Sequence, residues 1–174
     1  MNARFLTLVA IIIAAALFRY LPHPPNVSPI AAMALFAGAT FADRRTAFLV
    51  PLLALFAGDL LIGLHDTMVF VYLAFGLTVL AGIAIRKSQR ISVIAATVVG
   101  SSVMFFLLTN LGVWLTSALY PMTLEGLSQA YTSAIPFFQN SLLGNLFFSA
   151  LLFGGYALLR RHAGWMQVNS ATHG

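Results

Sequence analysis

Cysteine is absent from the 174 residues, which excludes disulfides, thiolate metal sites and thiol nucleophiles. Charge is scarce as well. Only 7% of the residues are Asp, Glu, Lys or Arg, against about 25% in an ordinary soluble domain. Nine basic and four acidic side chains cannot clothe a globule of this size in water, so lipid is the solvent this composition fits. No HExxH pair, nucleophile elbow or phosphate loop occurs. Zinc-hydrolase, serine-hydrolase and P-loop chemistry therefore have no support, and no cofactor or metal is expected. Internal repeats and low-complexity segments are missing too.

What is present is apolar: 60% of the chain is hydrophobic. A membrane helix needs about 20 mostly apolar residues, and the runs place six spans near 5–21, 28–42, 47–64, 67–85, 92–119 and 137–159. The expected fold class is an all-α integral membrane protein, a single six-helix domain over residues 1–174. The opening "MNARFLTLVAIIIAAALF" has the charged start and apolar centre of a secretory signal. The bulky, proline-rich "RYLPHPP" follows it where a cleavable signal needs small residues, so it reads as a retained first span.

Basic residues set the direction. With the N-terminus inside, the inner segments hold Arg4, Arg44, Arg45, Arg86, Lys87, Arg90, Arg160 and Arg161, and Arg19 alone lies outside. The positive-inside rule then puts both termini in the cytoplasm. The net charge of +5 is a topology signal here, since these residues sit at the ends of apolar runs. The outer connections are residues 22–27, the His65–Asp66 turn and 121–136. In the last, Leu124, Leu127, Tyr131 and Ala134 recur every three or four residues, the pattern of a short amphipathic helix on the outer surface. It reads either as an interfacial anchor or as a lid.

A few polar residues then need a reason. Asp59 lies about 9 Å along its helix from His65, and a carboxylate at that depth is paired or faces a polar cavity. Arg19 closes the first span on the same side, so the two form a structural ion pair or contact a ligand. Asn110, Trp114 and Ser117 share one helix face, a candidate pocket wall. Ser141, Asn145 and Ser149 share another, whose default role is hydrogen bonding between helices. Prolines 22, 24, 25 and 29 stiffen the first outer loop and hold Asn26 and His23 over the helix mouth. Ser28 is placed to cap the second span, with Pro29 in its first turn. Tyr131, Gln139 and Asn140 complete the candidate substrate contacts with Asn26, Asp59, His65, Asn110 and Trp114.

Four stretches, "LPHPPNVSPIAAMALFAGATF", "LLALFAGDLLIGLH", "TNLGVWLTSALYPMTLEGL" and "AIPFFQNSLLGNLFFSALLFG", resemble a family of small bacterial six-helix transport proteins. That family is similar to the substrate-binding S-components of energy-coupling-factor (ECF) vitamin transporters. The resemblance implies six membrane helices, both termini inside, and an outward-facing site for a vitamin-like solute, with cobalamin among the candidates. It implies either an ECF transmembrane and ATPase module as partner or, for solitary cobalamin-uptake members, none. Ala10 and Ala14 match the AxxxA spacing through which S-components dock on that module. A thiolate cobalt ligand is impossible in this chain, and His65 is the nearest chemical substitute.

The expected function is therefore capture or uptake of a small organic micronutrient, not catalysis. An intramembrane enzyme built on Asp59 and His65 is the rival from another class, and a ligand-free membrane scaffold is the third reading.

Overall fold

The computed structural model describes residues 3–88 and 90–162, whose regular structure is all helix, with no strand among them. Helix α1 (Ala3–Leu17) runs into a short 3₁₀ turn (Phe18–Tyr20). The irregular segment 21–29 leads to α2 (Ile30–Thr40), followed by α3 (Arg44–Ile62) and α4 (Met68–Ala84). A hairpin of α5 (Ile91–Thr116) and α6 (Leu124–His162) completes the described chain. Four helices, namely α1 with its 3₁₀ extension, α3, α5 and α6, are long and apolar enough to cross a membrane.

Around an apolar core, the surface is not that of a protein that folds in water. Leu53, Leu60, Leu143 and Phe147 are exposed, while Asp59, Thr78, Ser102 and Asn145 are buried. Hydrocarbon rewards that arrangement, because polar groups there must find partners inside the protein.

Helix α2 occupies the centre, with every residue from Ala31 to Thr40 buried. Its eleven residues reach about 16 Å, roughly half the ~30 Å hydrocarbon layer. The second span expected over 28–42 is thus an enclosed rod and not a lipid-facing crossing. Nor does Ser28 cap it. Pro29 takes the N-cap position without a side-chain bond, and Ser28 Oγ is buried with no hydrogen-bond partner.

Two arginines serve the other end of α2. Arg4 donates to the Thr40 carbonyl (3.0 Å), and Arg86 donates to those of Gly38 (2.7 Å) and Ala42 (3.1 Å). Gly38 and Thr40 are among the carbonyls that a helix C-terminus leaves unpaired, and cations also suit the negative end of its dipole. Arg4 and Arg86 read only as topology signals in the sequence, yet they are what lets so short a helix end inside the protein.

Helices α2 and α4 meet backbone to backbone. A Cβ on Gly38 would collide with the Val79 carbonyl oxygen, and one on Gly82 with that of Leu35. Buried Ala34 and Thr78 lie four residues before these glycines. Both helices thereby carry the small-xxx-small spacing that brings bilayer helices close.

Helix α6 is continuous for 39 residues, about 58 Å. The separate surface helix expected within 121–136 is therefore the first part of α6, and no break precedes the last span. Pro136 lies inside the helix. Both it and Thr132 are exposed, so the carbonyl that proline leaves unpaired falls in an exposed stretch and costs little. The remaining helices follow the expected runs, except that α5 stops at Thr116 rather than near 119.

The chain thus has two unlike ends. The start of α1 and the end of α2 are tied by Arg4, which also donates to Tyr156 near the end of α6 (3.2 Å). Arg86, just past α4, joins them there. The opposite end carries Arg19 and the connections 21–29, 63–67 and 117–123.

Candidate functional site

A cavity of about 330 Å³ opens between α4, α5, α6 and the loop residue Asn26. Helix α5 lines it with Ser102, Phe105, Phe106, Thr109 and Asn110, and α6 with Phe137, Phe138, Ser141 and Asn145. Steps of three and four residues put each set on one helical face. Asn26, Asn110 and Asn145 supply amides, Ser102, Thr109 and Ser141 hydroxyls, and the four phenylalanines flat apolar wall. No Asp, Glu, Lys, Arg or His is among the described lining residues. The arrangement can hold an uncharged molecule with an apolar face and a few hydrogen-bonding groups.

The proline cluster explains how Asn26 arrives there. Val27 N–H donates to the Pro24 carbonyl (3.1 Å), closing a four-residue turn with Pro25 second and Asn26 third. Asn26 has φ 63°, a left-handed conformation that Asn tolerates better than most residues. Turns of this kind favour Pro at the second position and Gly or Asn at the third. Asn140 Nδ2 donates to the Pro25 carbonyl (3.3 Å) and ties the loop to α6. Among the described residues Asn26 itself makes no hydrogen bond, so its amide is available to a guest.

The other two amides are partly committed. Asn110 Nδ2 donates to the Phe106 carbonyl one turn earlier (2.8 Å), leaving its oxygen as the uncommitted group. Asn145 Nδ2 donates to Ser102 Oγ (3.0 Å), and that hydroxyl donates to the Val98 carbonyl (2.8 Å). Asn145 therefore serves the interhelical bonding expected of its face and lines the cavity as well.

Asp59 lies elsewhere. It is 2% exposed, with Arg19 Nη2 at 2.7 Å from one carboxylate oxygen and the Tyr72 hydroxyl donating to the other at 2.8 Å. Arg19 also donates to the Leu55 carbonyl and Tyr20 to that of Gly58 (both 3.4 Å). The Arg19–Asp59 pair expected from the sequence is present, and it joins the end of α1 to α3 and α4. Both oxygens are taken by protein donors and Asp59 is not among the residues of the cavity wall, so in this structure it ties helices together. Tyr72, half-buried and set within "VFVYLAF", carried no sequence signal beyond its hydroxyl.

Other expected contacts also separate from the cavity. Trp114 Nε1 donates to the Pro121 carbonyl (2.9 Å) and staples the α5–α6 connection. Tyr131 donates to the Leu107 carbonyl (2.8 Å) and packs on Phe106 with centroids 5.8 Å apart, so it backs the wall. Gln139 is exposed. His65 Nδ1 pairs with Thr67 Oγ1 (2.8 Å) and His23 Nδ1 with the Leu21 carbonyl (2.6 Å), both on exposed loops. Among the described residues no three metal-binding side chains cluster. Ala10 and Ala14 are exposed on α1, and Ala14 borders an apolar groove shared with α6.

Asn26 and Asn110 are thus the members of the expected set that share the cavity. Ser102, Thr109 and the four phenylalanines were not anticipated as its wall, although their helical spacing relative to Asn110 was the available signal.

The chain belongs to a family of unknown function, DUF6580, whose model matches residues 1–168. No curated protein and no solved structure matches it.

Proposed function

Taking that family membership as the starting point, we propose that the chain is a multi-pass protein of a bacterial inner membrane that captures a small uncharged solute for uptake. The observation that carries this reading is the cavity: three amides, three hydroxyls and four aromatic rings assembled inside a body whose exterior is apolar. Polar side chains are costly at that depth, and a site for a polar guest gives them a use. Its volume of about 330 Å³ falls at the lower end of ligand sites, roughly 300–1,000 Å³. A compact vitamin-like heterocycle suits it, and a corrin macrocycle does not. Stacking on Phe106 and Phe138, whose centroids are 4.9 Å apart, holds the flat body, while Asn26 and Asn110 read the polar edge.

The proposed orientation has the cavity facing outward and both termini in the cytoplasm. Eight of the nine Lys and Arg residues belong to the segments of the opposite end, with Arg19 the exception; the positive-inside rule favours that end inside. The proposed six passages include the short one that α2 makes, enclosed by its neighbours rather than facing lipid. Exposed Ala10 and Ala14 offer close approach to an energy-coupling membrane partner.

The test is calorimetry on the purified protein with a panel of neutral micronutrients, alongside labelled uptake in auxotrophic cells with and without the gene. One member should bind and accumulate in a gene-dependent way. A flat calorimetric response together with equal uptake across the panel overturns the proposal.

A further inference from the structure

The seam between α5 and α6 holds a second cavity, of about 320 Å³. It extends to Ile91, the first residue of α5, and so lies toward the basic end. Its walls are apolar, with Val98 and Phe153 among them, apart from one hydroxyl, Ser149. That hydroxyl is the anomaly. Ser149 is 3% exposed, and its Oγ has no hydrogen-bond partner. Elsewhere in this hairpin serines return their hydroxyl to the carbonyl four residues back, as Ser102, Ser117 and Ser141 do. A buried hydroxyl without a partner is costly, and this one lines a space large enough for a guest.

The two cavities are separated by a single helical turn. On α6, Asn145 lines the first and Ser149, four residues on, the second; on α5, Ser102 lines the first and Val98 the second. Four residues correspond to about 6 Å. Across that layer runs the one bond described between a side chain of α5 and a side chain of α6, Asn145 Nδ2 to Ser102 Oγ. Everything else in the partition is packing.

We propose that the second cavity is a further station for the same uncharged solute, and that the Asn145–Ser102 hydrogen bond is the gate between the two. The inference rests on the uptake reading given above. In the first cavity the solute is held by amides. When Asn145 and Ser102 part, its flat body passes between α5 and α6, and Ser149 supplies the next hydrogen bond. The apolar walls of the second cavity hold it more weakly in polar terms, which favours release toward the basic end.

The natural absence of cysteine makes the test direct. Ser141→Cys reports on the first cavity and Ser149→Cys on the second. Each is expressed alone and exposed to a membrane-impermeant methanethiosulfonate in right-side-out and in inside-out vesicles. Ser141→Cys should react from one face and Ser149→Cys from the other. Adding Ser102→Ala, which removes only the gate hydroxyl, should raise the rate from the opposite face by roughly threefold to tenfold, the range for losing one interhelical bond in a membrane. Asn145→Ala should raise it further, and monodisperse elution of each variant checks the fold. Three results overturn the gate: both cysteines reacting from the same face, Ser149→Cys inert from both faces in the gate variants, or cross-face rates that neither variant changes. Labelling needs no knowledge of the solute. A panel without uptake but with the expected labelling sinks the uptake reading alone, and uptake with unaltered cross-face rates sinks the gate alone.

Discussion

Asp59 and Asn110 are both polar groups within apolar helices, but the two halves of the molecule treat them differently. In α1–α4 the carboxylate is closed off by Arg19 and Tyr72, and Gly38 and Gly82 bring two backbones into contact. Along the α5–α6 seam, amides and hydroxyls border open space instead. One half is locked by partners and by close approach. The other keeps uncommitted groups at two cavities and is joined by few specific bonds. A half closed on itself beside a seam bordered by open space is the contrast on which the proposed solute passage rests.

The sharpest way to break that contrast is to strip Asp59 from its partner. Asp59→Leu with Arg19 retained leaves a buried guanidinium uncompensated and should cost about 3–5 kcal/mol, read as thermal unfolding in detergent. Arg19→Met combined with Asp59→Leu should recover most of that loss. A single variant as stable as the natural chain would mean the half is not locked at this pair.

Next comes the glycine contact. Gly82→Ala forces α2 and α4 apart and should cost about 1–3 kcal/mol, by the same measurement. Gly100→Ala on α5, where an added Cβ meets nothing within 4 Å, should instead be neutral or raise stability by up to about 1 kcal/mol. Equal losses at the two positions would erase the distinction between the halves.

The seam gives the opposite signature. Asn110→Leu should leave the unfolding midpoint nearly unchanged while weakening solute binding about tenfold, ~1.4 kcal/mol, in the calorimetric panel. A large stability loss with unaltered binding would assign Asn110 to the frame rather than to the cavity.

The smallest effect belongs to the surface of the locked half. Exposed Asp43 accepts the Thr46 N–H at the start of α3 (2.8 Å), and that bond, chiefly, holds its carboxyl below the ordinary value. A depressed folded-state value means the contribution is complete above the unfolded value and is lost as pH falls through the folded one. Acid titration of stability should therefore show a slight loss in that window, and Asp43→Asn, which still caps, should remove it.

Much of the architecture was legible because apolar runs and basic flanks report on the bilayer directly. The bounds of α3 and α4 and the start of α5 follow from "FADRR", "GLHD" and "IRKSQR", which interrupt hydrocarbon-compatible stretches. Two features were not legible. Helix α2 reads as a span because alanine is apolar in lipid and in a protein core alike, and composition does not record which of the two surrounds it. The continuity of α6 through Pro136 escaped notice because a proline ordinarily marks a helix boundary, yet here, as at buried Pro51 in α3, the helix runs on. For the cavity, Asn26 and Asn110 stood out as lone polar residues. Asp59 stood out for the same reason, and only the geometry separates a residue satisfied by Arg19 and Tyr72 from one that faces open space. Serine and phenylalanine are too common in membrane helices to signal a wall by themselves.

The enclosure of α2 bears on how the chain is made. An eleven-residue rod capped by arginines from both sides of it in sequence cannot reach its final seat when it leaves the ribosome, because Arg86 and its α4 neighbours do not yet exist. Its final contacts can form only after translation has advanced some fifty residues further (Gly38 to Arg86 spans 48). On that ordering the chain gathers around its second helix late, once α4 has been made.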